Sequence, residues 1–197
     1  MRDINLHVKK GETVALHGAN GAGKSTLLKI INGLIFPLRG SYKFECAEIT
    51  QKILSNNKFA KNFHQKIGFV WQNPDVQLFC ASVEEEISFG PEQMGLPETE
   101  IKKRTEDALE FFELKNLRHR APYTLSGGEK KKTALASVLT MNPAVWTLDE
   151  PLSALDEKTK TILTEFLLEL KRAGKTIIFS SHDSKFIEQI ADRRLDL

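Results

Sequence analysis

Nine consecutive residues near the start of the sequence have the composition of a loop that binds phosphate. They read GANGAGKST from Gly18 and match the pattern G-x4-G-K-S. The glycines let the backbone curl so that successive N–H groups point into one concavity, and the following helix adds the positive end of its dipole. Lys24 can reach the outer phosphates of a nucleoside triphosphate, and the Ser25 hydroxyl can bind Mg²⁺. We therefore predict a nucleotide-binding loop, with a plain glycine-rich turn as the alternative; its residues are Gly18, Asn20, Gly21, Ala22, Gly23, Lys24, Ser25 and Thr26.

Two carboxylates follow an apolar run much further along the sequence. The run AVWTL ends at Leu148, and Asp149 and Glu150 come directly after it. A strand buried on both faces would deliver Asp149 to the carboxyl edge of a parallel sheet, where ligands bind. There Asp149 could hold hydrated Mg²⁺, and Glu150 could accept a hydrogen bond from an attacking water. Because acidic residues also end strands simply by being solvated, this motif gains weight only alongside the phosphate loop.

A serine and two glycines open a predicted helix between these two motifs. Residues 125–129 read LSGGE. Ser126 fits an N-cap, and the glycines after it leave the first N–H groups of the helix unobstructed, which makes a second anion site at a helix terminus. The alternative is an ordinary capped helix start in which Glu129 interacts favourably with the helix dipole. We expect the lysines at 130–132 to form mostly a solvated face.

The elements that would position these residues alternate between strand and helix at both ends of the chain. The patterns predict strands at 13–17 and 67–71 around a helix at 25–31, and later a strand at 144–148, a helix at 157–172 and a strand at 176–181. Such alternation implies a largely parallel sheet. We therefore predict an α/β fold with a mostly parallel core sheet flanked by helices, and a small antiparallel β part.

Helical periodicity dominates the middle of the chain. We expect one discontinuous core, residues 1–72 and 142–197, interrupted by a helical insert at 73–141. Within the insert one helix opens near Glu98, and Pro91, Pro97 and Pro122 are expected at helix boundaries. Residues 50–65 are polar and basic and are expected at the surface.

Composition excludes several classes of protein. The chain has 197 residues, with 28 Lys plus Arg against 26 Asp plus Glu, so its net charge of +2 gives no global reason to bind nucleic acid. Its longest apolar run, Leu78–Ala81, is far below the roughly 20 residues that a spanning helix needs. The first residues lack the apolar core of a secretory signal, so we expect both cysteines to be reduced thiols. These features predict a soluble intracellular domain.

The order of the motifs resembles that of the ATP-binding subunits of ABC transporters. The phosphate loop, the LSGGE signature and the acidic strand end follow one another as in that family. So do Gln72 at the family's Q-loop, Ser153-Ala154-Leu155-Asp156 at its D-loop and His182 at its switch histidine. The segment at 70–90 is more narrowly similar to ATPases of energy-coupling-factor and cobalt/nickel-type importers.

This resemblance implies a P-loop ATPase of the ABC type, using ATP and Mg²⁺, that powers uptake of a vitamin or metal ion. By analogy, Lys24, Glu150 and His182 would be catalytic, and Ser25, Gln72 and Asp149 would bind the metal. Ser126, Gly127, Gly128 and Glu129 would contact the ATP held by a second ATPase subunit, with Asp156 at the interface. Integral-membrane subunits would be the other partners, which puts the chain peripherally at the cytoplasmic face of the membrane. The family's adenine-stacking aromatic lies upstream of Ile4, so no residue is assigned that role.

Two other functions remain as alternatives. One is a soluble ABC-type ATPase acting on DNA or ribosomes, and the other is a non-hydrolysing ATP-binding partner in a heterodimer. Glu150 and His182 argue against the second because both catalytic positions are filled. Near the Q-loop, Val76, Leu78 and Phe79 either form part of a groove for a membrane subunit or pack between core and insert, and the sequence does not separate these two interpretations.

Overall fold

The computed structural model describes residues 4–153 and 155–197. Its strands are β1 (Thr13–His17), β2 (Lys43–Phe44), β3 (Ala47–Glu48), β4 (Ile67–Val70), β5 (Val145–Leu148), β6 (Thr176–Ser180) and β7 (Arg193–Asp196). Its α-helices are α1 (Lys24–Ile31), α2 (Gln51–Leu54), α3 (Asn57–Lys66), α4 (Val83–Met94), α5 (Glu98–Phe111), α6 (Gly127–Met141), α7 (Glu157–Arg172) and α8 (Ser184–Ile190).

The predicted α/β architecture is confirmed. Over the described ranges the strands form a five-stranded sheet in the order β4-β5-β6-β1-β7 and a separate two-stranded sheet. β1 pairs in parallel with both β6 and β7, and β5 pairs in parallel with β6, whereas β2 and β3 are antiparallel. Because β1, β5 and β6 run in the same direction, the residues that follow their carboxyl ends come to one edge of the sheet.

The chain divides into two compact units. The sheet unit comprises the described residues of Met1–Phe69, Ala144–Glu150 and Thr164–Leu197, and the helical unit comprises those of Val70–Pro143 and Pro151–Leu163. In the described part of the chain, no helix is both long enough and apolar enough to cross a bilayer.

Apolar packing fixes the first strand and helix of the sheet unit. Leu16 of β1 and Leu28 of α1 are fully buried in one cluster with Phe63 of α3. α1 ends as predicted, because Gly33 follows its C-cap with a left-handed φ of 67°. A Cβ at Gly33 would lie 2.5 Å from Leu54 Cδ1 and 3.2 Å from Phe63 Cε1, so it would displace these side chains in addition to straining the backbone. The polar stretch at 50–65 is largely exposed as expected, but it forms α2 and α3, and it buries Phe63.

The prediction that Pro91 marks a helix boundary is wrong. Pro91 lies inside α4, where it cannot donate the usual backbone hydrogen bond to the carbonyl of Ile87. The Thr140 hydroxyl of α6 donates to that carbonyl instead, at 2.8 Å. A tertiary contact therefore replaces the missing helical bond and lets α4 continue through the proline. Pro97, by contrast, stands at the N-cap of α5 as expected.

The expectation of a solvated lysine face at 130–132 is also wrong. The Lys131 side chain is buried, and its ammonium donates to the backbone carbonyls of Trp71 and Gln72. On either side, Lys130 forms an ion pair with Asp75 and Lys132 forms one with Glu113. Sequence pattern could not indicate this, because backbone carbonyls that accept from a buried cation have no sequence signature.

Thr140→Val should destabilise the protein, because it leaves the Ile87 carbonyl buried without its hydroxyl donor. We expect the free energy of unfolding from urea titration to fall by about 1–3 kcal/mol. Adding Pro91→Ala restores an N–H one helical turn from Ile87, so the Thr140→Val loss should be smaller in that background. Equal losses in both backgrounds, or a neutral Thr140→Val, would contradict this explanation of the proline.

Candidate functional site

The glycine loop joins β1 to α1, and its conformation requires glycine at two positions. A side chain at Gly18 would meet the Leu197 carbonyl oxygen at 2.7 Å, so this position has no room for a Cβ atom. Gly23, the N-cap of α1, has a left-handed φ of 105°. The loop ends directly at the start of α1, where an anion would meet the positive end of the helix dipole.

Lys24 crosses this loop with its ammonium group. The residue is 7% exposed, and its Nζ donates to the carbonyls of Gly18 at 2.7 Å and Ala19 at 3.2 Å. The same Nζ lies 3.4 Å from Nε2 of His182. The cation is thus fixed at the loop, where it can neutralise phosphate charge.

The two carboxylates after β5 point to different partners. Asp149 is 4% exposed and accepts a hydrogen bond from the Ser180 hydroxyl at 2.7 Å. The backbone N–H of Glu150 donates to the same hydroxyl at 2.8 Å. Glu150 has a left-handed φ of 45°, and its Oε1 lies 3.0 Å from His182 Nε2. Ser180 therefore organises both acidic residues, a role that sequence reasoning missed although Ser180 lies within the strand predicted at 176–181.

The three residues predicted to be catalytic, Lys24, Glu150 and His182, thus lie close together in the sheet unit. Asp149, one of the predicted metal ligands, lies beside them. His182 Nε2 faces the Glu150 carboxylate and the Lys24 ammonium, so it can donate to the first or accept from the second but cannot do both at once. Glu150 is largely buried while His182 is half exposed, which leaves the imidazole accessible to a ligand.

The predicted metal ligands have the chemistry that Mg²⁺ requires. The hydroxyl of Ser25, the carboxylate of Asp149 and the side-chain amide of Gln72 are all hard oxygen donors. Ser25 and Asp149 belong to the sheet unit and Gln72 to the helical unit. Among the described residues, no cluster of three His, Cys, Asp or Glu side chains could bind a metal ion by itself. Oxygen donors of these kinds suit Mg²⁺, which keeps several waters and is bound jointly with substrate phosphates.

The signature segment forms a capped and accessible helix start. Ser126 is the N-cap of α6 and forms a capping box, in which its Oγ accepts from Glu129 N and Glu129 Oε2 accepts from Ser126 N. The hydrogen bond from Ser126 N lowers the pKa of the Glu129 carboxyl. Ser126 and Gly127 are exposed, and no atom would lie within 4 Å of a Cβ on Gly127. The capped helix start is confirmed, and its dipole end is open to an anion.

The predicted D-loop lies beside this helix start, although Ala154 is outside the described residues. Asp156 Oδ1 accepts from Thr159 N at 3.0 Å, and Oδ2 accepts from the Thr159 hydroxyl at 2.8 Å. These bonds, the backbone one first, lower the pKa of the Asp156 carboxyl. A Cβ on Gly128 would lie 3.7 Å from Asp156 Oδ2, so the signature and the D-loop are neighbours within the helical unit. Asp156 therefore caps α7, while its place at a subunit interface stays a prediction.

The apolar residues after Gln72 differ in exposure. Val76 is 65% and Phe79 is 67% exposed, while Leu78 is half-buried. The Phe79 ring contacts Phe89 edge-on, with ring centroids 4.9 Å apart. Two of the three residues are thus available to a partner, which favours the docking interpretation over internal packing.

Comparison with known proteins identifies the family. A sequence profile of the ABC transporter family matches residues 1–153. The chain is 51% identical to a putative ABC transporter ATP-binding protein of Clostridium acetobutylicum, over 97% of this chain and 79% of the relative. It is 44% identical to the nickel import ATP-binding protein LarO of Lactiplantibacillus plantarum, over 98% of this chain and 80% of the relative. It is also 44% identical to the energy-coupling factor transporter ATP-binding protein EcfA of Methanothermobacter thermautotrophicus, over 98% of this chain and 61% of the relative.

Solved structures agree with these relatives. CbiO1 from Clostridium perfringens, part of the ABC transporter complex CbiONQ, superposes with a TM-score of 0.82 at 38% identity, over 98% of this chain and 76% of that one. The ATP-binding cassette MJ0796 was solved as a dimer in a post-hydrolysis state with ADP and Pi. It gives a TM-score of 0.88 at 30% identity, over 99% of this chain and 84% of that one. The parallel sheet, the glycine loop and the acidic strand end have the same explanation: the chain belongs to the ABC transporter family and is an ATP-binding, ATP-hydrolysing domain of that family.

Proposed function

We propose that this domain powers uptake of a small solute, a vitamin or a metal ion, through an importer of the energy-coupling-factor or nickel/cobalt type. The main support for ATP hydrolysis in this proposal is that Lys24, Asp149, Glu150 and His182 lie together at one edge of the sheet. The import part is supported by the 70–90 segment and by relatives named for nickel import and energy coupling. We further propose a single ATPase domain over residues 1–197, with core 1–72 and 142–197 and helical insert 73–141.

Each residue of the cluster has a definable task. The loop N–H groups and Lys24 would bind the outer phosphates of ATP, and Glu150 would hold the attacking water. His182 would orient the terminal phosphate, and its present contact with Glu150 Oε1 keeps the imidazole close to where that water would bind. Ser25, Gln72 and Asp149 would hold Mg²⁺, which when bound neutralises charge on the phosphates.

One protein partner in this proposal is another ABC ATPase subunit. The exposed start of α6 provides backbone donors to an anion that the phosphate loop of a neighbouring copy would hold. ATP would then join two surfaces rich in N–H groups, and hydrolysis would remove the attraction. The dimeric form of the related cassette supports this arrangement.

The other protein partner in this proposal is an integral-membrane subunit. The exposed Val76 and Phe79 are close in sequence to Gln72, and Asp75 adds a charge beside them. We propose this surface as part of the docking site, which would hold the chain peripherally at the cytoplasmic face of the membrane. Nucleic acid is not an expected partner.

Glu150→Gln tests the catalytic assignment. The amide keeps the size of the side chain but is a poor base, so steady-state ATPase activity should fall about 10²–10⁴-fold while ATP binding persists. Glu165→Gln makes the same chemical change at an exposed position of α7 and should leave activity unchanged. A parent chain with no ATPase activity, or a Glu150→Gln variant as active as its control, would overturn the assignment and favour the non-hydrolysing alternative.

Asp75→Lys combined with Phe79→Ala tests the docking surface. Loss of an exposed aromatic anchor and reversal of a charge should lower the yield of membrane subunits that co-purify from solubilised membranes about tenfold or more. ATP binding should be unchanged. Leu38→Ala removes an apolar side chain that is fully exposed in the sheet unit, and it should not affect the yield. Co-purification that survives the double change would rule out this docking surface.

A further inference from the structure

The segment that carries Gln72 is hydrogen-bonded to the signature helix α6 through a buried cation. Lys131 is 2% exposed although its side chain ends in a charge. Its Nζ donates to the carbonyl oxygen of Trp71 at 2.9 Å and to that of Gln72 at 3.0 Å. Two consecutive peptide groups of the Q-loop are therefore bound by one side chain from the second turn of α6.

A second side chain completes the connection. Gln77 accepts from the backbone N–H of Trp71 through Oε1 at 3.1 Å, and its Nε2 donates to the carbonyl of Ala134 at 3.0 Å. Ala134 lies three residues after Lys131, on the same face of α6. The backbone at 71–72 is thus held at three atoms, one N–H and two carbonyl oxygens, by contacts that all lead to a single helical turn.

Packing alone does not account for a lysine at this position. Burying an ammonium group carries a desolvation cost, which a methionine of similar length would avoid while filling the same space. What lysine adds is charge-assisted hydrogen bonding to carbonyl oxygens, which is stronger than hydrogen bonding between neutral groups. The gain is therefore in fixing the two carbonyls that Lys131 binds.

We propose that Lys131 is a positioning residue. Together with Gln77 it fixes the main chain of Gln72 against α6, so that the Gln72 amide and the N-terminus of α6 at Ser126 move as one piece. This inference rests on the proposed function, in which Gln72 binds Mg²⁺ and Ser126 contacts the nucleotide of a second subunit. A displacement of Gln72 would then reach the signature directly, through hydrogen bonds rather than through loose packing.

Lys131→Met and Gln77→Leu each remove one part of this connection, and Lys103→Met is the matched control on the exposed face of α5. The first readout does not depend on hydrolysis. The chain has two tryptophans, and in a Trp146→Phe background the remaining emission comes from Trp71. Both test variants should shift the Trp71 emission to the red and raise its acrylamide quenching, whereas the control should change neither. Gln77→Leu retains the buried lysine, so it carries the test if Lys131→Met does not fold.

The second readout separates positioning from a general structural role. Lys131→Met should raise the Mg²⁺ concentration for half-maximal ATPase activity about tenfold, in the range typical of residues that orient metal ligands. The double variant with Gln72→Ala should be no worse than Gln72→Ala alone, because Lys131 acts through Gln72.

The results that would overturn the inference are distinct from those that would overturn the function. An unchanged Trp71 signal in both variants, or fully additive effects of Lys131→Met and Gln72→Ala, would overturn the positioning role. If the parent hydrolyses no ATP, or Gln72→Ala leaves the Mg²⁺ dependence unchanged, the catalytic proposal fails instead, and the Trp71 signal still decides whether the connection to α6 exists.

Discussion

The hydroxyl of Ser180 joins the two acidic residues on which the proposed chemistry depends. It donates to the Asp149 carboxylate and accepts from the Glu150 backbone N–H, so the end of β6 fixes the turn that follows β5. Glu150 adopts a left-handed conformation, which costs on the order of 1–3 kcal/mol for a residue other than glycine. That conformation directs two adjacent carboxylates to different partners, one buried against Ser180 and one beside His182. Asp149 and Glu150, which we propose as a metal ligand and a base, therefore lie in different environments although they are neighbours in sequence.

Two helix starts in this chain are built for different tasks. The start of α1 follows a glycine loop and is bridged by Lys24, whose ammonium is already bound to loop carbonyls. The start of α6 is closed locally by the capping box of Ser126 and Glu129, yet the first residues stay exposed. The first can enclose a triphosphate from one side, whereas the second is an exposed helix start that is suited to contact a phosphate held elsewhere. Two cooperating subunits can use this difference, because the first helix start of one subunit would hold the triphosphate that the second helix start of the other contacts.

The sequence predicts best where local and tertiary preferences agree. The helix at 157–172 has the bounds observed for α7, because its apolar stripe packs inward and Gly174 adopts the left-handed conformation that follows its end. The phosphate loop and the acidic strand end were predictable since their residue types and spacing suit the binding of phosphate and, in the function that we propose, of Mg²⁺. The predictions for Pro91 and Lys131 are wrong because there the local preference and the tertiary contacts disagree. Each is made acceptable by a partner distant in sequence, a threonine hydroxyl for the proline and two carbonyls for the lysine.

The central claim, that two copies share one nucleotide through Ser126, is tested most directly by a matched pair of substitutions. Both Asp and Asn are good N-caps, so Ser126→Asp and Ser126→Asn each preserve the start of α6, but only the first places a negative charge facing phosphate. In the Glu150→Gln background with saturating ATP, sedimentation velocity should show a dimer for the parent and for Ser126→Asn, and a monomer that still binds ATP for Ser126→Asp. A dimer that persists in Ser126→Asp, or the absence of any ATP-dependent dimer in the parent, would contradict the account.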